Sequence, residues 1–154
     1  MSSLQAFLVA VEMAERQRDA ARQALQDIRR TRHAAQQQFD QLQGYAEEIQ
    51  DRWGAREDMV VKPEVMHHQY QFMDRLGQAI GMQNGVLDEQ AGRVHAAEQR
   101  LLQAELRLAS LKKVVDKRRR ELEQLQARRE QKQTDERAAI QAARADRRPM
   151  GEEE

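Results

Sequence analysis

Residues 76–125 decide the fold, and they read LGQAIGMQNGVLDEQAGRVHAAEQRLLQAELRLASLKKVVDKRRRELEQL. Mostly apolar residues recur here at alternating steps of four and three for about seven heptads, well past the three or four that indicate a coiled coil. The repeat consists of Leu76, Ile80, Gln83, Leu87, Gln90, Val94, Ala97, Leu101, Ala104, Leu108, Leu111, Val115, Arg118, Leu122 and Leu125. Because a straight α-helix drifts against a strict seven-residue repeat, this seam stays buried only if two helices supercoil.

The N-terminal third of the chain offers the second helix. An apolar stripe opens after Ser2 and Ser3, which are suitable capping residues, and its register is loose around Glu15 and Arg18. It consists of Leu4, Phe7, Leu8 and Val11, and then of Ala21, Leu25, Ile28, Arg32, Ala35, Phe39, Leu42, Ala46, Ile49 and Trp53. The spacing predicts a first helix from about residue 4 to about residue 53.

A short break from Gly54 to Pro63 separates the two helices. Gly54 suits the end of a helix and Pro63 suits the first turn of the next, and so short a connection makes the helices antiparallel neighbours. The second helix is predicted from about 64 to about 145, with a disordered tail at 146–154. The prediction is all-α: one coiled-coil domain over residues 1–154, a long antiparallel two-helix hairpin with an overhanging C-terminal helix.

The two helices have unequal lengths. A turn near residue 58 puts Trp53 beside about residue 64 and Leu4 beside about residue 113, so the second helix continues alone for roughly 30 residues. A single helix that still carries Leu122 and Leu125 on its seam is poorly stable in water. We therefore expect it either to fray or to be covered by a partner.

Composition excludes several classes of protein. The chain of 154 residues has no cysteine, which excludes disulfides and thiolate metal sites. Its 26 basic and 26 acidic residues cancel, so there is no global basic field to attract nucleic acid. No uncharged run approaches the length of a membrane span. The apolar stretch from Leu4 to Met13 follows no basic region and is interpreted as helix rather than as a signal peptide.

No residue pattern predicts catalysis, a cofactor or a metal. Of the four histidines, His67 and His68 are adjacent rather than one turn apart, and no carboxylate cluster joins them, so a solvated surface explains them best. No nucleophile triad, phosphate loop or HExxH motif occurs. We expect no enzymatic activity and no cofactor.

Two sets of residues are candidates for partner binding. The first contains the basic residues near the start of the overhang and the leucines after them: Lys112, Lys113, Lys117, Arg118, Arg119, Arg120, Leu122 and Leu125. These cations either form a solvated face paired with Glu121 and Glu123 or dock on an acidic partner surface. Nucleic acid is the weaker option because no stacking aromatic residues are interleaved.

The second candidate set flanks the seam near the turn, where Gln38, Leu42, Tyr45 and Ile49 lie at the same height as Phe72, Leu76, Ala79 and Gln83. Gly77, Gly81 and Gly85 follow one helical ridge nearby, and mid-helix glycine costs about 0.5–1 kcal/mol relative to alanine. The ridge indicates either a pliable helix or close approach by another backbone. The stripes either broaden the core of the hairpin or form an exposed apolar patch.

Three motifs resemble the flagellar type III export protein family FliJ. They are Ile28-Arg29-Arg30, the Gln38-Phe39-x-x-Leu42-x-x-Tyr45 run and the Tyr70-Gln71-Phe72-x-x-x-Leu76-x-x-Ala79-Ile80 run. The similarity covers nearly the whole chain and preserves the spacing of the two runs across the turn.

The resemblance implies a cytoplasmic coiled coil that is peripherally associated with the inner-membrane export apparatus. Such a protein inserts the end holding both termini into the export ATPase ring, promotes ring assembly, contacts the cytoplasmic domain of the export-gate membrane protein and escorts export chaperones. By resemblance, the gate-binding residues are Gln38, Leu42, Tyr45, Phe72, Leu76 and Ala79, whereas Ile49 and Gln83 depart from the family pattern.

Two alternatives remain at this point. One is the equivalent stalk of a virulence type III secretion system. The other is a generic coiled-coil scaffold with weak nucleic-acid binding, which predicts steeply salt-dependent association with DNA or RNA.

Overall fold

A computed structural model describes residues 2–54 and 62–147 and contains two long helices. Helix α1 spans Ser3–Gly54 and helix α2 spans Pro63–Asp146, with 52 and 84 residues. The described residues contain no strand, so the predicted all-α helical hairpin is confirmed. Most of the predicted turn, 55–61, and the predicted tail from 148 onward lie outside the described residues.

Local chemistry explains where both helices begin. The backbone N–H of Gln5 donates to the Ser2 hydroxyl oxygen at 3.3 Å, which makes Ser2 the N-terminal cap of α1. Helix α2 starts at Pro63, whose missing N–H costs nothing in a first turn, and Glu64 follows at the positive end of the helix dipole. Here the Lys62 carbonyl accepts from the N–H groups of Val65 and Met66 at 3.0 and 3.2 Å.

The predicted seam of α2 is buried as expected. From Leu76 to Val115 every seam position is buried or half-buried, and Ala79 is the one other residue in that range that is not exposed. The seam of α1 is covered in the same way from Ala21 to Trp53, except at Arg32, which is exposed. A repeat of four and three therefore describes the packing of both helices.

The loose register expected around Arg18 is not observed. Ala14 is 2% exposed and Arg18 is half-buried, so the four-three spacing continues without a break from Phe7 to Trp53. The guanidinium of Arg18 pairs with Asp19 at 2.9 Å. An arginine can occupy a seam position because its aliphatic stem covers apolar surface while its charge reaches water.

The chain divides into two compact units, each containing part of both helices. Unit 2, Ala14–Leu106, has its core at Leu25, Val94 and Ala97, with Ile28 and Leu101 packed against them. Unit 1 comprises Met1–Met13 and Arg107–Glu154, and Leu108 and Val115 are buried within it.

As predicted, α2 continues beyond the start of α1, but the unpaired part of α2 begins later in the chain than the sequence indicates. Within unit 1, Ser3 lies beside Arg118, at 3.2 Å between the two side chains, whereas the sequence placed Leu4 beside about residue 113. Every described residue from 116 to 147 is exposed, including Leu122 and Leu125 at 50% and 46%.

None of the described helices is both long enough and apolar enough to cross a membrane.

Candidate partner-binding surfaces

Heptad positions give each flank of the seam a simple description. With the seam residues at positions a and d, the flanking residues occupy e on one side and g on the other. Tyr45 and Phe72 are both g residues, and their rings meet edge to face with centroids 6.0 Å apart. Arg29 and Glu98 are both e residues, and their charged groups lie 3.4 Å apart. In unit 2, therefore, g faces g and e faces e.

Near Tyr45 the g flank exposes aromatic surface. Tyr45 is 49% exposed and Phe72 is 41% exposed, even though each covers part of the other. A perpendicular arrangement at this distance is a favourable geometry for an aromatic pair, worth about 0.5–1.5 kcal/mol beyond burial. The pair holds two large apolar side chains at a defined place on the surface.

A seam glutamine holds the adjoining residues in register. The side-chain amide of Gln83 donates to the Ala35 carbonyl at 2.9 Å and to the Gln38 side-chain oxygen at 3.3 Å. The bond to the Ala35 carbonyl ends on the backbone of α1, so it fixes the axial register of α2 against α1. The sequence places Gln83 on the seam and marks it as a departure from the family pattern, but no periodicity reveals a hydrogen bond.

The six residues that the resemblance assigns to gate binding fall into two groups. Gln38, Tyr45 and Phe72 are exposed on the g flank. Leu76 is buried on the seam at 8% exposure, and Leu42 and Ala79 are half-buried. Leu76 therefore supports the surface from below, and its aliphatic group is not free to meet a partner in this conformation.

Two further exposed apolar side chains continue this surface along α2. Val86 occupies the g position two heptads after Phe72 and is 39% exposed, and Met82 lies beside it at position c with 76% exposure. Neither residue belongs to the candidate sets that the sequence predicts. The seven-residue spacing of Phe72, Ala79 and Val86 was a signal that could have identified Val86.

A second candidate surface lies in unit 1, where the start of α1 meets α2. The guanidinium of Arg118 lies over the Phe7 ring, 5.5 Å from its centroid, and its Nη1 donates to the Ser3 hydroxyl at 3.2 Å. A groove of about 330 Å³ adjoins this contact and is lined by Ser2, Ser3, Leu4, Arg118, Glu121, Leu122 and Leu125. The arginine thus closes the paired seam of unit 1, and beyond it the leucines remain accessible.

The other predicted docking residues of unit 1 are exposed cations. Lys112, Lys113, Lys117, Arg119 and Arg120 are all solvent-facing. The ion pairs among the described residues include none of these side chains, nor Glu121 or Glu123. The pairing that would have made the cluster a self-neutralised face is therefore not seen.

The described residues contain no group of three His, Cys, Asp or Glu side chains that could hold a metal ion. His67 and His68 are exposed, and a ring nitrogen of His67 lies 3.2 Å from the Gln71 amide.

The glycines of α2 make no close contact within the described chain. A Cβ atom added at Gly77, Gly81 or Gly85 would meet no atom within 4 Å. Close approach by the chain's own backbone therefore does not explain this ridge.

Comparison with protein families matched the chain to the model described as flagellar FliJ protein, over residues 4–147. Comparisons with curated proteins and with solved structures gave no match.

Proposed function

The chain belongs to the flagellar FliJ family and is a component of the flagellar export apparatus, and we propose that it acts there as a stalk. In this role the end of the hairpin that carries both termini inserts into the export ATPase ring and promotes ring assembly. Its g flank contacts the cytoplasmic domain of the export-gate membrane protein. The proposal includes a cytoplasmic location with peripheral association at the membrane, the escort of export chaperones and no catalytic activity of its own.

The observation that carries this proposal is the exposed end of α2. Leu122 and Leu125 continue the seam after Arg118 has closed it, and they lie about half exposed. From 126 to 146, α2 extends for about 30 Å with no buried residue. A helix of this kind gains stability when a partner surrounds it, and the interior of a ring does so.

The charge near the same end supports contact with an acidic surface. Lys112, Lys113, Lys117, Arg119 and Arg120 point in several directions around α2 and form no ion pairs among the described residues. Cations distributed around a helix suit a ring that encloses it, because every direction then meets protein. Complementary charge also accelerates association and favours one partner over another.

The gate surface is proposed for the g flank of unit 2. Tyr45 and Phe72 supply exposed aromatic area, and Gln38 supplies an amide beside them. Aromatic residues are frequent anchors of protein interfaces, because their large rings lose little conformational entropy on binding. Leu42 and Leu76 lie on the seam beneath this flank, and Ala79 is a half-buried residue of the flank itself.

The test is ATP hydrolysis by the cognate export ATPase, measured with and without the full chain, together with ring assembly measured by size-exclusion chromatography. Stimulation accompanied by ring formation supports the stalk. A lack of effect on both quantities at saturating protein contradicts it.

A parallel titration with duplex DNA tests the scaffold alternative, which the exposed cations between Lys112 and Arg120 favour. Strong binding that weakens steeply with salt, without any effect on the ATPase, would replace the stalk with that function.

A further inference from the structure

The two flanks of the seam in unit 2 carry different charges. On the e flank, Arg29 and Glu98 pair across the seam, and Arg22 and Glu105 occupy the e positions one heptad further on. The g flank has no acidic residue on either helix of this unit from position 17 to 45 or from 72 to 100. Its residues are Gln17, Ala24, Thr31, Gln38 and Tyr45 on α1, and Phe72, Ala79, Val86, Arg93 and Arg100 on α2.

The arginines of the g flank therefore have no carboxylate opposite them. By the spacing that pairs Tyr45 with Phe72, Arg93 lies across from Ala24 and Arg100 from Gln17. Arg93 instead pairs with Glu89 on its own helix at 2.7 Å. Arg100 forms no ion pair among the described residues and has no acidic residue three or four positions away.

Asp27, the acid at position c of α1 beside the g flank, already has partners on its own helix. The carboxylate of Asp27 accepts from Gln23 at 3.0 Å and lies 3.9 Å from Arg30, and both of these partners belong to α1. The exposed guanidinium of Arg100 thus remains available for a charge that comes from outside unit 2.

Between the aromatic pair and the arginines, the α2 side of the flank is apolar. Met82 and Val86 are exposed and follow Phe72 along the helix. The surface from Phe72 to Arg100 extends about 42 Å, which matches a helix of roughly 28 residues. A helix that packs along a two-helix seam buries residues that repeat at steps of four and three.

We propose that the g flank from Tyr45 and Phe72 to Arg100 is one continuous docking surface for an amphipathic helix. The apolar residues of that helix cover Phe72, Met82 and Val86, and a carboxylate at its far end pairs with Arg100. The inference rests on the proposed function in that the helix belongs to the cytoplasmic domain of the gate protein. It extends the site about 30 Å beyond Ala79 and states the charge of the partner.

The test titrates the purified full chain against the purified cytoplasmic domain of the cognate gate protein. Arg100→Glu places a negative charge opposite the partner carboxylate and is expected to weaken binding about tenfold. Arg16→Glu is the matched control, because it makes the same charge change at an exposed f position of α1 and should leave binding unchanged. Far-UV circular dichroism and thermal unfolding verify that both variants stay folded.

A neutral variant gives an independent measurement. Arg100→Gln should lower affinity less than Arg100→Glu, and it should also flatten the dependence of affinity on salt, since one screened ion pair is lost. An unchanged salt dependence would overturn the charge assignment, and so would equal loss in the Arg16→Glu control.

The same titration separates this inference from the proposed gate surface. If Phe72→Ala weakens binding while Arg100→Glu does not, the extension is wrong and the gate surface stands. If neither variant weakens binding, the g flank is not the gate surface and both statements fail. Loss of affinity in both, with the control unchanged, supports the continuous surface.

Discussion

Two stretches of α2 have the same secondary structure and opposite environments. Between residues 80 and 101 every seam position is buried or half-buried, and Val94 and Ala97 form a core with Leu25 of α1. Between 126 and 146 every residue is exposed. The first stretch is a helix because packing stabilises it. The second depends on its own propensity, on alanine, glutamine and charged residues, and on whatever partner surrounds it.

The difference shows that one part of α2 stabilises the fold while another part remains available for a partner. In the paired stretch the informative residues lie beside the seam, where their side chains can serve a partner without weakening the core. In the exposed stretch the seam positions themselves are available, but Arg129, Lys132 and Glu136 have replaced large apolar residues there. A fully apolar seam at that end would have exposed a large hydrophobic patch, which promotes aggregation in the absence of a partner.

Removing the exposed stretch is the strongest test of the difference between these two parts of α2. A chain truncated after Leu125 should retain the helical hairpin, because Arg118 closes the paired seam before the cut. It should lose part of its stimulation of the export ATPase, because the docking residues up to Leu125 remain. Truncation after Val115 also removes Lys117 to Leu125 and should abolish stimulation. Hydrolysis rates and circular dichroism of the truncated and full chains measure the two quantities. Undiminished stimulation would refute ring insertion by this segment.

Replacing one leucine by alanine in each helix pairing environment compares how much the paired and exposed regions contribute to the free energy of unfolding. Leu25 is 4% exposed, so Leu25→Ala should lower the free energy of unfolding by about 2–4 kcal/mol through lost burial and a cavity. Leu125 is 46% exposed, so Leu125→Ala should change it by no more than about 0.5 kcal/mol. Chemical denaturation of both variants gives the values. Equal losses would show that α2 is packed near residue 125 in solution.

Within unit 2, a second matched pair of variants distinguishes a residue that stabilises the fold from a residue that contacts the gate protein. Leu76 is buried and Phe72 is 41% exposed, so Leu76→Ala should destabilise the fold by about 2–4 kcal/mol. Phe72→Ala should cost about 1 kcal/mol of stability, through the aromatic pair with Tyr45, and should mainly reduce affinity for the gate protein. Thermal unfolding and a binding titration on each variant distinguish the roles. A large stability loss in Phe72→Ala would place that ring in the core instead.

The smallest expected effect concerns the glycine ridge. Gly81→Ala should raise the free energy of unfolding by about 0.5–1 kcal/mol, because the added methyl group meets no atom within 4 Å and alanine favours the helix. Denaturant unfolding of the single variant measures this gain. A loss of stability instead would mean that another chain approaches the ridge closely, and a concentration-dependent midpoint would identify that chain as a second copy.

Much of this fold could be predicted from the sequence, because a heptad repeat is a local pattern. The seam from Leu76 to Val115 and the helix starts at Ser2 and Pro63 depend on spacing and on capping chemistry, both of which are visible in the letters. The unequal helix lengths followed from the same counting. The family followed chiefly from the two motifs on either side of the turn, and the match over residues 4–147 confirms it.

What the sequence did not determine depends on which side chains meet. Arg18 carries a charge and indicates a loose register, but its long stem allows it to lie half-buried on a continuous seam. The height at which Ser3 meets Arg118 depends on where the chain turns, and an error of a few residues there shifts the start of the exposed stretch.

The sequence by itself thus determined that this protein is two long helices with one seam, because the period of apolar residues dictates which face each helix must bury. Only the tertiary structure decided what lies beside the seam. Pairing across it brings Tyr45 onto Phe72 and Arg29 onto Glu98, and places no acidic residue opposite Arg100 among the described g residues of α1. The physical reason is that flanking contacts join residues far apart in the chain, so their partners are set by the register between the helices and not by either helix alone.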